Sequence, residues 1–164
     1  MGSAEITEAS NTEDYAAGKV LIEEYAAALG VDLGFQNFPE EIANLSKNYG
    51  PPHGCLLLAR VDGDPVGCVA VRYQGAAVSE MKRLYVKPKY RGAGLGRRLA
   101  ESAIRRARRF NYARMVLDTL SNMTEAQSLY RSLGFREVEG YYSNPLHGVR
   151  YLARELTNGE QNAS

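Results

Sequence analysis

Tyr85-Val86-Lys87-Pro88-Lys89-Tyr90-Arg91-Gly92-Ala93-Gly94-Leu95-Gly96-Arg97-Arg98-Leu99 is the stretch on which the reading of this chain turns. An apolar strand runs into Pro88, which cannot continue a sheet ladder. Past the glycines, Leu95, Leu99, Ala103, Ala107 and Phe110 recur at three- and four-residue steps and predict an amphipathic helix to about Arg109. Between strand and helix stand three glycines at alternate positions. Glycine tolerates positive φ and carries no Cβ, so backbone N–H groups can approach an anion closely. The helix N-terminus adds partial positive charge at the same point. Strand, glycine loop and helix together predict a pyrophosphate site.

Spacing narrows what such a loop holds. A phosphate loop of the Walker type ends in Gly-Lys-Ser/Thr, whereas Gly96 is followed by Arg97-Arg98. A dinucleotide fingerprint needs G-x-G-x-x-G in an opening βαβ unit. Counted from Gly92 the last position is Arg97, and from Gly94 it is Leu99. The pattern that remains is Arg-x-x-Gly-x-Gly, at Arg91, Gly94 and Gly96.

Outward from the loop, Cys55–Val61 and Val66–Tyr73 read as a hairpin with Val61 facing Val66, and Ser79–Val86 as the next strand. That register sets Cys55 opposite Arg72 and Cys68 opposite Ala59, so the two thiols do not pair. Upstream, Ala4–Ala9 reads as a short first strand. Asn11 and Thr12 cap a helix over Glu13–Leu29, with Tyr15, Val20, Leu21, Tyr25 and Ala28 as its buried positions and Gly30 as its stop. Pro39-Glu40-Glu41 opens a second helix that ends near Tyr49. Downstream, Arg114–Thr119 is a strand, Thr124–Leu133 a helix, and Phe135–Val138 and Val149–Leu156 the closing strands. This order predicts one α/β domain over residues 1–164 with a mixed sheet, and a disordered tail over 157–164.

Composition excludes several classes. Lys and Arg number 20 against 19 Asp and Glu, a net charge of +1, which is not the basic excess of a nucleic-acid binder. No apolar run is long enough to span a membrane. The N-terminus shows no secretory pattern, and two unpaired cysteines fit a reducing, cytoplasmic setting. His53 and His147 show no ligand spacing with cysteine or acid, so no metal is expected.

With these residues in place, the sequence resembles the GNAT superfamily of N-acetyltransferases. The likeness rests on Arg91-Gly92-Ala93-Gly94-Leu95-Gly96, on Glu80 through Pro88, and on Asn122 through Phe135 with its Leu129-Tyr130 and Gly134-Phe135. It implies a mostly antiparallel sheet of six to seven strands flanked by about four helices. That sheet splays between the fourth and fifth strands, and the motif-bearing part covers about residues 55–138. It implies acetyl-CoA as cosubstrate, with its pyrophosphate on backbone N–H groups from Gly92 and Ala93 through Arg97, in the Arg91 loop. Its pantetheine arm would lie along Leu84, Tyr85 and Val86, with Asn122 beside it.

By the same resemblance Tyr130 is the general acid and Glu80 the candidate base. A phenol near pKa 10 is a proton source for a leaving thiolate of conjugate acid near roughly 8.5. Water chains are the alternative to Glu80. The oxyanion would meet a backbone N–H near Leu84 or Tyr85. From the strand pattern Glu80 shares a face with Lys82 and Leu84.

The function expected is direct transfer of acetyl to a primary amine, with a small-molecule acceptor, and without nucleic-acid or membrane partners. A protein N-terminus or lysine is the alternative acceptor, and a non-catalytic acyl-CoA-binding module the alternative class. Pairing through the closing strands into a homodimer is compatible with the pattern. Tyr141-Tyr142-Ser143-Asn144-Pro145 reads as an exposed aromatic loop, which the resemblance would set beside the acceptor; Arg97 or Arg98 is the candidate for the 3′-phosphate of coenzyme A, and the other arginines up to Arg109 read as a solvated helix face.

Overall fold

In a computed structural model, residues 3–30, 37–142 and 148–156 are described. Seven strands form one sheet in the order β1-β2-β3-β4-β5-β7-β6. They are β1 (Ala4–Glu8), β2 (Cys55–Val61), β3 (Asp64–Gly75), β4 (Val78–Val86), β5 (Arg114–Leu120), β6 (Arg136–Val138) and β7 (Val149–Glu155). Every neighbouring pair is antiparallel except β4 and β5, which are parallel. Their ladder is short: Val78, Ser79 and Glu80 match Arg114, Met115 and Val116, and no later residue of β4 pairs with β5. From Met81 onward the two strands part, so the predicted splay is present.

The described residues form five helices: α1 (Thr12–Leu29), α2 (Phe38–Ala43), α3 (Leu45–Asn48), α4 (Leu95–Arg109) and α5 (Thr124–Ser132), besides a 3-10 turn at Pro88–Tyr90. That is one more than expected, because the single helix read from Pro39 to Tyr49 breaks at Asn44, whose ψ of 43° is not helical. Asn11 caps α1 as expected, its Oδ1 accepting from the Asp14 N–H at 2.8 Å, and Gly30 ends it at φ 68°. The buried face of α1 differs from the expected one. Gly18, Leu21 and Ile22 are buried, whereas Val20 is 53% exposed and Ala28 is exposed. Gly18 sets that face: a Cβ there would stand 2.4 Å from Leu56 Cδ2, so the helix approaches the sheet at this point and turns Val20 outward.

Two apolar layers sandwich the sheet. On one side Leu99, Ala103 and Ala107 of α4 pack on Leu57, Val69 and Met115. On the other, Leu21 and Ile22 of α1 and Leu45 of α3 pack on Leu56, Leu58 and Ala70. The β2–β3 register departs from the expected one. Val61 faces Asp64 and a bulge follows at Ala59/Arg60, so Cys55 pairs with Val71 and Cys68 with Leu58. Cys55 belongs to the first layer and Cys68 to the second, on opposite faces, and both thiols are free. Burial pushes each thiol up to about 12, which makes them inert side chains.

A bulge in β4 shapes the site. Between the pairs Cys68↔Tyr85 and Ala70↔Lys82, β3 advances two residues and β4 three. Arg83 takes up the extra residue at φ 60°, a left-handed conformation costly for a non-glycine residue. The alternation therefore switches: Lys82 and Tyr85 lie on the α1 side, and Leu84 packs with the α4 layer. The expected shared face for Glu80, Lys82 and Leu84 thus holds only for the first two. Among the described residues no helix is long and apolar enough to cross a membrane. The tail at 157–164 lies outside the described residues.

Candidate functional site

The splay opens into a groove of about 670 Å³. Leu84, Tyr85 and Val86 form one wall, and Leu120, Asn122 and Met123 stand on the other. Arg91, Gly92, Gly94, Leu95 and Gly96 close its lower end. The glycine loop, the freed edge of β4 and Asn122, far apart in sequence, are thus brought to one groove. Ala93 and Arg97, also expected there, are not among its lining. Ala93 is exposed, and the Arg97 guanidinium donates to Ser132 Oγ at 2.6 Å.

The loop has the backbone geometry of an anion cradle. Gly92 and Gly94 take φ 88° and 81°, and a Cβ on either would meet no atom within 4 Å. The space in front of them is open, and α4 begins immediately after Gly94. These are the features a diphosphate needs, and the residues fit the pyrophosphate of coenzyme A. The Arg91 side chain braces the loop: its Nε donates to Val86 O at 2.8 Å, and its guanidinium lies 5.6 Å from the Tyr85 ring centroid.

This geometry yields a first prediction. Gly94→Ala forces a methyl group into the cradle and strains the backbone by about 1–2 kcal/mol. Gly63→Ala, in the β2–β3 turn at φ 85°, carries the same backbone penalty far from the groove. Calorimetric titration with coenzyme A should show affinity reduced in Gly94→Ala and unchanged in Gly63→Ala.

Above the loop the groove narrows to a cavity of about 80 Å³ where the strands begin to part. Lys82 and Arg83 line it from β4, Asp118 and Thr119 from β5, Tyr25 from α1 and Tyr130 from α5. Tyr130 is 7% exposed, with its ring edge-on to Phe135 at 5.9 Å. Among the described residues its hydroxyl has no hydrogen-bond partner. Burial, with Tyr25 and the Asp118 charge nearby, raises its pKa above the ordinary tyrosine value, so the phenol keeps its proton.

Glu80 stands apart from this cavity. Its carboxylate is 2% exposed and both oxygens are engaged: Arg72 Nε donates to Oε1 at 2.7 Å and the Tyr141 hydroxyl to Oε2 at 2.7 Å. The next residue, Tyr142, donates its hydroxyl to Asp118 Oδ2. Two consecutive tyrosines thereby fasten the segment after β6 to one carboxylate on each strand of the splay. Their rings pack edge-on against Tyr151 at 5.3 and 5.6 Å. Both are half-buried rather than exposed, and Ser143 to Pro145 lie outside the described residues.

Beside them Arg83 is buried in a bidentate pair with Glu41. Nε donates at 2.9 Å and Nη2 at 2.7 Å, while Tyr49 donates to Glu41 Oε2 at 2.6 Å. The sequence reading places Tyr25 in the helix core and Lys82 beside Glu80, but assigns neither of them, nor Asp118, to the site. The visible signal was charge inside apolar strands, at Lys82-Arg83 and at Asp118 after Met115-Val116-Leu117. No group of three or more metal-ligating side chains occurs among the described residues, and His147 lies outside them.

Comparison with known proteins agrees with this geometry. Residues 19–135 match the model of the Acetyltransferase (GNAT) family. An uncharacterised N-acetyltransferase of Schizosaccharomyces pombe is 45% identical over 141 residues, which cover 85% of this chain and 86% of the relative. N-acetylaspartate synthetase of Rattus norvegicus is 32% identical over 126 residues, 76% of this chain and 39% of that protein. A crystal structure of an acetyltransferase from Streptococcus agalactiae superposes with a TM-score of 0.77 at 25% identity, covering 94% of this chain and 99% of the other.

Proposed function

The chain belongs to the GNAT acetyltransferase family, and on that premise we propose that it transfers the acetyl group of acetyl-CoA to a primary amine of a small molecule by direct attack. The observation that carries this reading is the continuity of one groove, from the glycine cradle at Gly92–Gly96, along the unpaired edge of β4, to the cavity at Tyr130. Acetyl-CoA supplies an activated acyl group and a good leaving thiolate.

The chain's residues supply the rest. The N–H groups around Gly92 to Gly96 hold the diphosphate, with Leu84, Tyr85 and Val86 along the arm. The bulge at Arg83 frees strand-edge groups that would otherwise bond to β5, and these donors are available to developing negative charge. Tyr130 donates a hydrogen bond from its hydroxyl to the leaving sulfur. The acceptor amine arrives protonated, and of the two carboxylates Asp118 is the one lining the cavity, placed to receive its proton. Glu80, saturated by Arg72 and Tyr141, holds the tyrosine segment and the adjoining strand in place.

The relative named N-acetylaspartate synthetase favours a small-molecule acceptor over a protein one. The test is the thermal midpoint with and without acetyl-CoA, with ATP and NAD as controls. Ligand at 100 times its dissociation constant adds about 2.7 kcal/mol, several degrees for a domain of this size. A rise with acetyl-CoA alone supports the reading; a folded protein that shows none overturns it.

A further inference from the structure

The cavity at the top of the splay carries a charge pattern that the transfer reaction alone does not require. Arg72 is paired with Glu80, and Arg83 with Glu41. Lys82 lies between these pairs, half-buried on the β4 wall, and among the described residues it has neither an ion-pair nor a hydrogen-bond partner. Burial, and then the Arg83 charge, lower its pKa, so the ammonium there gains from an anion beside it. Asp118 stands on the opposite wall, fixed by Tyr142.

An acceptor that is only an ammonium ion would meet Lys82 as a like charge. A molecule carrying a carboxylate beside its amine matches both walls, with the amine toward Asp118 and the carboxylate toward Lys82. The size of the space sharpens the match. The space that Lys82 and Asp118 share is small, about 80 Å³, which favours a carboxylate carried on the amine's own carbon. A carboxylate on that carbon is the substituent that answers Lys82.

Resting on the acetyltransferase reading above, we propose that the acceptor is an α-amino acid and that Lys82 is its carboxylate-binding residue. The bond formed joins the amino nitrogen to the acetyl carbon and the bond broken is the carbon–sulfur bond of acetyl-CoA; the ammonium gives up two protons, one by way of Asp118 and one that ends on the departing thiolate as free coenzyme A, and the carboxylate is unchanged. A peptide N-terminus, whose carboxyl is an amide, and a simple monoamine both lack the group Lys82 binds.

The experiment measures release of free coenzyme A from acetyl-CoA with each of the common amino acids. It is repeated with the decarboxylated counterpart of every amino acid that reacts, using the wild type, Lys82→Met and Lys82→Arg. The expected result is turnover with one or more amino acids and little with their decarboxylated counterparts. In Lys82→Met, KM for the amino acid rises about 10- to 100-fold, the range for a charge-assisted bond, and Lys82→Arg recovers part of it. Methionine replaces a half-buried cation by an apolar chain of similar length, so the variant should fold. Its midpoint shift with acetyl-CoA confirms that the groove is intact. Equal turnover of the decarboxylated amines, an unchanged KM in Lys82→Met, or no turnover of any amino acid by protein that binds acetyl-CoA would each overturn the proposal. Only the loss of acetyl-CoA binding itself would reach the reading beneath it.

Discussion

Tyr130→Phe lowers kcat by about 10²- to 10³-fold, in the range of a positioned acid, and leaves acetyl-CoA affinity nearly unchanged. The hydroxyl is the only atom removed, and the ring keeps its packing against Phe135. The magnitude follows from the direction of the pKa shift. Burial holds the phenol above its ordinary value. Full transfer of its proton to a thiolate of conjugate acid near roughly 8.5 is then uphill by more than about 2 kcal/mol. On the proposed reading Tyr130 therefore acts chiefly by donating a hydrogen bond as charge grows on the sulfur. Because the phenol stays protonated through neutral pH, the alkaline limb of the wild-type rate profile does not come from Tyr130 and survives in any residual activity of the variant. Single-turnover rates beside equilibrium titration with coenzyme A separate the two effects. Unchanged turnover would remove the acid role.

The second large effect is on stability. Arg83→Met leaves Glu41 buried with Tyr49 as its remaining donor, and breaking one side of such a pair costs about 3–5 kcal/mol. For a domain of this length that is a fall in Tm of about 8–16 °C. The pair also sets a pH dependence. Burial raises the Glu41 pKa, but the hydrogen bonds and charge of Arg83 outweigh it and hold the carboxyl below its ordinary value. A carboxyl depressed in the folded state stabilises fully above its unfolded pKa of about 4.3. That contribution is lost as pH falls from there through the folded value. The gap in denaturant midpoint between wild type and variant should accordingly be widest at neutral pH and close under acid. A constant gap from pH 7 to pH 3 would assign the loss to the removed packing of Arg83 on Tyr25 and Phe38.

The parts of this fold that are legible in the sequence are those where residue type alone restricts the backbone. Pro88 ends a strand, Gly92 and Gly94 need positive φ, Asn11 caps α1, and the leucines and alanines of α4 form one stripe. From these came the order of elements, the anion cradle and the resemblance that places Tyr130 and the splay. What escaped was set by tertiary partners. The β4 bulge depends on Arg83 finding Glu41, 42 residues earlier in the chain, and no local rule reports that pairing. The same bulge decides that Leu84 turns from Glu80. The sealing of Glu80 required Tyr141, 61 residues away, to fold back on it. The β2–β3 register was read from facing valines, whereas the turn places Asp64 opposite Val61 and inserts a bulge.

The three-residue ladder between β4 and β5 has a consequence for cooperativity. Strands β1 to β4 are joined to one another by antiparallel pairing, and so are β5 to β7. Between the two blocks the β4–β5 ladder among the described residues pairs Val78, Ser79 and Glu80 alone, with the Ala113 N–H bonded to Ala77 O just before it, Tyr141 on Glu80, and α4 across one face. Local opening is therefore expected to divide at this narrow seam, with the amide hydrogens of one block exchanging faster than those of the other. A ligand seated along the splay touches both blocks at once, and so acts as the missing length of seam.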